Sequence, residues 1–204
     1  MSHFLMPTID IYNLENYTFG TKDAQHEKDK SVPERLARMK DKYFKEGMRR
    51  SVDCILLVHQ HGHPHILLLQ IGNNQKGFFK LPGGRCRPGE SEADCIKRKL
   101  TKRLAPPNAK EYQPDWEVGE CVSVWYRPNF ETLFYPYTPP HITKPKECKK
   151  LYVIPLPEKC MFAVPRNFHF LAVPLFELYD NSKRYGPIIS SIPQVLSHFN
   201  FNQL

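Results

Sequence analysis

Apolar residues recur at helical spacing between Ser31 and Gly47, after about thirty residues without a sustained period. Ser31 is a favourable N-cap and Pro33 suits the first helical turn, while Gly47 favours a stop. The pattern therefore predicts a helix that ends near Glu46. Its buried side is expected to comprise Leu36, Met39, Tyr43 and Phe44.

Apolar runs rich in β-branched residues predict the strands. The runs 52–59 and 65–71 flank the turn-forming residues 60–64, which is typical of a β-hairpin. Pro174 favours the edge of a sheet or a bulge for the strand that contains it. Three later runs also predict strands: 119–126, 150–156 and 171–179.

The end of the chain predicts a second helix, with Ser190 or Ser191 as its cap and Pro193 in its first turn. Its buried stripe is expected to comprise Val195, Leu196 and Phe199. A helix-compatible run over 91–104 lies between the two helices, and mixed strands with helices at both ends and one in the middle imply an α/β or α+β sandwich. We expect one globular domain over residues 31–204, preceded by an extended arm over residues 1–30.

Four histidines alternate along the predicted hairpin: His59, His61, His63 and His65. On one strand they would share a face and suggest a metal site. Gly62 and Pro64 interrupt such a strand, however, and no cysteine or carboxylate clusters beside them. The pattern favours a solvated hairpin tip.

Composition narrows the class of partner. The 204 residues include 29 Lys+Arg against 21 Asp+Glu, a net charge of +8, which favours phosphates or an acidic surface over a cationic partner. No run approaches the roughly 18 apolar residues that span a bilayer, and residues 1–10 lack a signal-peptide pattern. We therefore expect no membrane partner and reduced cysteines.

Two basic stretches are candidates for contact with phosphates. One is the polar face of the first helix, although most of its residues are expected simply to face water. The other is the segment 144–150, which could instead attract an acidic partner, and for which a solvated loop is an equal alternative. The helical stripe comprises Arg35, Arg38, Lys42 and Lys45.

The most informative stretch is LPGGRCRPGE at 81–90, followed by a helix-compatible run over 91–104. It resembles the box of the Nudix hydrolases, G-x5-E-x7-R-E-U-x-E-E-x-G-U, where U is aliphatic. The residues in register are Gly84, Glu90, Arg98 and Leu100. Lys99, Lys102 and Arg103 replace the three helical glutamates, and Ala105 and Pro106 replace the last glycine and aliphatic residue.

These replacements decide the expected chemistry. Nudix hydrolysis of a diphosphate needs Mg²⁺, and Mg²⁺ needs carboxylate oxygens, which ammonium and guanidinium groups cannot supply. Glu90, Glu92 and Asp94 remain near the helix start, where they also favour the helix dipole. We predict a groove that binds a nucleotide-like ligand without cutting it, with no catalytic residue, metal or cofactor. A residual Nudix-type nucleoside polyphosphate hydrolase is the alternative.

Beyond the box, the chain from residue 16 onward resembles the family of small subunits of eukaryotic pre-mRNA cleavage factor I. The matching segments are NYTFGTK (16–22), GMRR (47–50), FKLPGG (79–84), WYRPNFE (125–131), HITKPKE (141–147) and PLFELYDN (174–181). The resemblance implies a Nudix-type α/β/α sandwich with a mixed sheet and an N-terminal extension. It also implies a homodimer in the nucleus that binds UGUA elements of single-stranded pre-mRNA with a larger subunit carrying an RNA-recognition domain.

The resemblance also implies which residues contact RNA. Glu27 and Arg35 fall at base contacts, Phe78 at a stacking ring, and Phe79, Leu81 and Gly83 at main-chain contacts. Asp53 stands where the family commonly has Glu, and the loop 72–77 is longer here. Tyr135, Tyr137 and Tyr185 match surface tyrosines near the pocket and the large-subunit contacts. A scaffold that only docks proteins is a third hypothesis.

Overall fold

The computed structural model describes residues 6–26, 28–72, 77–107 and 115–204. The helices are α1 Val32–Glu46, α2 Glu92–Leu104, α3 Leu175–Leu178, α4 Ser182–Ser190 and α5 Ile192–Val195. The first six strands are β1 Thr8–Ile11, β2 Tyr17–Lys22, β3 Arg49–Ile55, β4 Leu57–Gln60, β5 His63–Ile71 and β6 Phe78–Lys80. The later strands are β7 Gly83–Arg85, β8 Cys121–Arg127, β9 Glu147–Val153, β10 Cys160–Pro165, β11 Phe168–Pro174 and β12 Asn200–Gln203.

Two four-stranded sheets form the centre of the domain. The first has the order β7-β3-β9-β8 and is mixed, because β3 and β9 are parallel while β7 and β8 pair antiparallel at the two edges. The second has the order β11-β5-β4, with β6 also on β5, and is antiparallel. Two parallel pairs, β1 with β12 and β2 with β10, complete the strands.

Strand alternation divides the apolar side chains between two cores. Ile66 and Leu68 of β5 face the core that contains α4 and α5, whereas Leu67 and Leu69 face the core that contains α2. All four side chains are buried, as expected for a strand covered on both faces. Helices therefore cover both sides of the sheets, which confirms the predicted α/β/α sandwich.

The predicted first helix is confirmed as α1. The Ser31 hydroxyl accepts a hydrogen bond from Glu34 N at 3.3 Å, and Gly47 ends the helix with a φ of 73°. Met39 is buried as expected, but the expectation for Phe44 is wrong, since its side chain is 75% exposed. Consecutive helical residues point about 100° apart, so Tyr43, which contacts the Phe130 ring, leaves Phe44 facing solvent.

The predicted strand 52–59 is wrong as a single element. Ile55 O accepts from Ile154 N, and Leu56 O accepts from Leu67 N, each at 3.0 Å, so the chain passes from one sheet to the other here. The hairpin itself is confirmed as β4 and β5. Its turn is only His61-Gly62, both with positive φ, which is the backbone of a type I′ turn.

The four hairpin histidines do not converge. His59 Nε2 lies 2.8 Å from Leu204 O, and the buried His65 Nδ1 lies 2.8 Å from His63 O. His61 and His63 are exposed, as a hairpin tip requires.

The three later strands shift relative to their predicted ranges. Residues 121–127 and 147–153 form β8 and β9, and Pro155 lies just beyond the second. The predicted strand 171–179 is wrong beyond Pro174, because α3 begins at Leu175. Pro174 itself ends β11 at the edge of its sheet, as predicted.

The C-terminal prediction is partly confirmed. Ser191 precedes α5, and Leu196 and Phe199 are buried, but Val195 is only partly buried. The helix is a single turn, and the chain continues into β12. A helix as the last element is therefore wrong, because β12 pairs with β1 instead.

The first thirty residues contribute strands that their pattern did not predict. Tyr17 of β2 and Ile11 of β1 are buried in the two cores. Residues 8–22 therefore pack on the domain rather than extending away from it. Among the described helices, none combines the length and the apolar character that crossing a bilayer requires.

Candidate nucleic-acid interface

A cleft of about 550 Å³ opens where the first sheet and β6 meet α1, α2 and α4. It brings together seven of the ten residues predicted from the sequence: Arg35, Asp53, Phe78, Phe79, Leu81, Gly83 and Tyr185. Tyr135 and Tyr137 lie beside the cleft, next to its lining residue Phe134, with their rings 5.9 Å apart. Glu27 lies outside the described residues, as does most of the longer loop before Phe78, residues 73–76.

One wall of the cleft is aromatic. Phe78 on β6 is 53% exposed, whereas the neighbouring Phe79 packs on Tyr185, with ring centroids 4.6 Å apart. The Tyr185 hydroxyl donates to Glu177. Burial raises the pKa of Tyr185 most, and the Glu177 carboxylate raises it further. Because successive residues of a strand point to opposite faces, the Phe78 ring is exposed while the Phe79 ring packs on Tyr185.

Glu147 is the centre of the charged floor. Its carboxylate is 2% exposed and accepts from Ser51 Oγ at 2.6 Å and Arg127 Nε at 3.0 Å. Arg49 Nε lies 3.2 Å away as an ion pair without hydrogen-bond geometry. Burial acts to raise the pKa of Glu147, but Arg49, Lys149 and Arg127 outweigh it and lower the pKa.

Asp53 points into the cleft beside this floor. Lys149 Nζ donates to its Oδ2 at 2.6 Å, and the same ammonium lies 5.3 Å from the centre of the Phe134 ring. Lys149 thus holds the Asp53 carboxylate in place.

Six charged residues of the lining were not among the predicted site residues: Arg49, Lys80, Arg103, Arg127, Glu147 and Lys149. The signal available was the segment 144–150. Its alternative interpretation as a solvated loop is wrong from Glu147 onward, because β9 starts there and carries Lys149 into the cleft. Burying charged residues costs free energy, so charged residues on a central strand indicate a functional site.

Gly83 and Gly84 form the edge of the cleft and pair with β3. A Cβ on Gly83 would lie 2.2 Å from Val52 O, whereas the atoms nearest to a Cβ on Gly84 belong to the flexible Lys99 side chain, the first at 3.1 Å. Both residues have a φ that favours glycine.

We expect Gly83→Ala to destabilise the domain by at least about 1 kcal/mol more than Gly84→Ala, because only the first clashes with backbone. Urea unfolding of the two variants measures the difference. Equal unfolding midpoints would contradict the packing of β7 on β3.

The Nudix-box residues do not form a magnesium site. Arg98 donates to both oxygens of Glu90 at 2.6 Å, and this pair lowers the pKa of Glu90 to about 2. Glu92 accepts from Arg50, Lys150 and Tyr152. The positions of the three helical glutamates of the Nudix box hold Lys99, Lys102 and Arg103, which supply ammonium and guanidinium groups instead. The described residues here do not fit Mg²⁺.

Cys86, Glu90 and Cys95 place their ligand atoms within 4.8 Å of one another. Two thiols suit soft metals rather than Mg²⁺. The Glu90 carboxylate is also already neutralised by Arg98, whose Nη2 lies 3.7 Å from Cys95 Sγ. A cation at this cluster would face a guanidinium at close range.

The α/β/α sandwich, its glycine loop and the helix behind it define a Nudix-type protein. The family profile NUDIX_2, described as nucleotide hydrolase, matches residues 7–199. The chain is 65% identical over 196 residues to pre-mRNA cleavage factor Im 25 kDa subunit 2 of Arabidopsis thaliana, covering 96% of both chains. It is 53% identical to cleavage and polyadenylation specificity factor subunit 5 of Dictyostelium discoideum, covering 95% of both. The chain belongs to the family of the small subunits of pre-mRNA cleavage factor I.

Proposed function

We propose that this protein binds single-stranded pre-mRNA at UGUA elements, without hydrolysing nucleotides, as a subunit of the mRNA 3′-end cleavage and polyadenylation machinery. The names of its relatives support the process. The observation that carries RNA binding is the cleft in which an exposed ring, a guanidinium and a carboxylate converge: Phe78, Arg35 and Asp53.

Each group suits one task in reading a splayed base. Phe78 offers a free aromatic face, and stacking of a base on such a face contributes about 1–3 kcal/mol. Arg35 presents a fork of donors to base acceptors, and Asp53 accepts from base amino groups. Main-chain groups at Phe79, Leu81 and Gly83 line the same wall, and Tyr185 braces it through Phe79.

Binding without hydrolysis follows from the charges. A Nudix enzyme places carboxylates on the helix where this chain has Lys99, Lys102 and Arg103. These cations attract phosphate but give Mg²⁺ no ligand, so neither the leaving group nor a water is activated. We further propose that the protein forms a homodimer in the nucleus and that Glu27 contacts a base. A larger subunit with an RNA-recognition domain is proposed to bind near Tyr135 and Tyr137.

Titration of the full chain with a UGUA oligonucleotide and with a scrambled one of equal length tests the proposal. We expect the UGUA oligonucleotide to bind at least about tenfold more tightly, because one misread base typically costs about 1–3 kcal/mol. Fluorescence anisotropy at one fixed salt concentration gives both affinities. Equal affinities would contradict UGUA recognition and would indicate that the protein only attracts the phosphates of any RNA.

The alternative, a residual nucleotide hydrolase, is favoured by the described activity of the matching family profile. Phosphate release from a dinucleoside polyphosphate with Mg²⁺ measures it directly. Release that Glu90→Gln abolishes would establish that activity and overturn the non-hydrolytic assignment.

A further inference from the structure

A small hollow lies between α1 and β7, directly beside the cleft. We call it the cationic hollow, because its lining contains Arg38, Lys42, Arg49 and Arg85. Met39 and Arg49 line both the hollow and the cleft, so the two are continuous. Its inner volume of about 10 Å³ is close to the space of one water, so it admits a single oxygen atom of a larger group.

Carboxylates compensate three of the four cations. The pairs are Arg38 with Asp29 at 2.7 Å, Arg49 with Glu147 at 3.2 Å, and Arg85 with Glu46. Lys42 is different, since its ammonium has no hydrogen bond or ion pair with any residue in the described ranges. The hollow therefore carries at least one positive charge more than these carboxylates balance, because Glu147 also pairs with Arg127.

The neighbours of Lys42 are mostly other cations. Arg85 lowers the pKa of Lys42 most, followed by burial and then by Arg38, Lys28 and Arg49. An anion seated among these groups would relieve their repulsion and pair with several of them at once. The arrangement favours a ligand that brings one negative charge and several acceptor oxygens.

We propose that the cationic hollow binds a phosphate group of the RNA backbone where the strand leaves the base-reading cleft. This inference rests on the proposed function. One phosphate oxygen enters the hollow towards Lys42, while the other oxygens stay outside, within reach of the planar guanidinium groups of Arg38 and Arg85. The shared lining residues Met39 and Arg49 give the strand a continuous surface from bases to backbone.

The test compares Lys42→Gln with Lys45→Gln in the full chain. Lys45 is an exposed lysine on the same helix, one turn further on and outside the hollow, so it controls for net charge. Affinities for the UGUA and scrambled oligonucleotides are measured across a range of salt concentrations. Thermal unfolding confirms folding, and removing Lys42 from among like charges is expected to leave the melting temperature unchanged or raise it.

We expect Lys42→Gln to weaken both oligonucleotides by the same factor, about three- to tenfold at low salt. The slope of log K against log salt should become shallower by about 0.7, as for the loss of one contact to a single strand. The ratio of UGUA to scrambled affinity should stay constant, because a phosphate contact reads no base. Lys45→Gln should change the affinity and the slope less.

Two results would overturn the inference. One is an unchanged affinity and salt slope in Lys42→Gln while the wild-type chain still prefers UGUA, which would leave the proposed function standing. The other is that Lys42→Gln binds RNA as tightly as wild type while pyrophosphate competes with the RNA less well than it does for wild type. That result would assign the hollow to a free polyphosphate. Loss of the UGUA preference in the wild-type chain would instead remove the proposed function itself.

Discussion

Replacing Glu147 by glutamine is expected to lower the free energy of unfolding by roughly 3–5 kcal/mol. The variant keeps the shape of the side chain but leaves the buried Arg127 and the partly buried Arg49 without their counter-charge. Buried cations that lose a partner retain their desolvation cost, which is why the effect exceeds that of an exposed ion pair. Denaturant unfolding measures it, with Glu120→Gln, an exposed site, expected to stay within about 0.5 kcal/mol of wild type.

The same carboxylate predicts a dependence on pH. The pKa of Glu147 is lower in the folded state, so its contribution is complete above the unfolded-state pKa of about 4.3. The contribution is lost as the pH falls through the folded-state pKa. We expect the stability gap between wild type and Glu147→Gln to narrow as the pH falls below about 4.3 and to close only below the folded-state pKa, and a gap that stayed constant throughout acid pH would contradict the charge assignment.

Replacing Phe78 by alanine is expected to weaken UGUA binding by about 1–3 kcal/mol, or roughly five- to 150-fold. The ring is 53% exposed, so its loss removes a stacking surface and little of the core. Thermal unfolding should therefore stay close to wild type. Fluorescence anisotropy with the UGUA oligonucleotide gives the loss, and Phe78→Trp should restore most of it, since any aromatic face stacks on a base.

Phe176→Ala is the matched control for this substitution. Phe176 is 66% exposed, but it contacts His63 at the hairpin, away from the cleft lining. Its loss should leave RNA affinity within twofold or so of wild type. If Phe78→Ala and Phe176→Ala bound alike, and Arg35→Ala with them, the domain would instead be a scaffold that docks proteins.

Elements with local sequence signals were predictable, whereas elements that depend on distant partners were not. Capping and periodicity are local, so Ser31 and Gly47 identified the ends of α1, and the helix-compatible run 91–104 identified α2, to within a residue. The switch at Leu56 has no local signal, because an unbroken apolar run is equally compatible with one strand or two. Likewise β1 and β2 depend on distant partners, β12 and β10, and show no period of their own.

The candidate site divides in a similar way. Resemblance located Arg35, Asp53 and Phe78 by their sequence context, and the cleft brings them together. Glu147 and Lys149 lie in an ordinary-looking basic segment, and their burial and aim depend on the parallel pairing of β9 with β3. Register with a distant strand decides which side chains face the cleft, and the sequence of one strand does not contain that information.

The sequence by itself determined that the Nudix box lacks its three helical glutamates, and it determined the family to which the chain is similar. Lysine or arginine at positions 99, 102 and 103 rules out the family's carboxylate set for magnesium in any conformation, because side-chain charge is a property of the residue. Only the tertiary structure decided which rings stay exposed and which cations meet. The positions of Phe78 and Lys42 follow from long-range packing of β6 on β5 and of α1 beside β7, where contacts between distant segments set each side chain's surroundings.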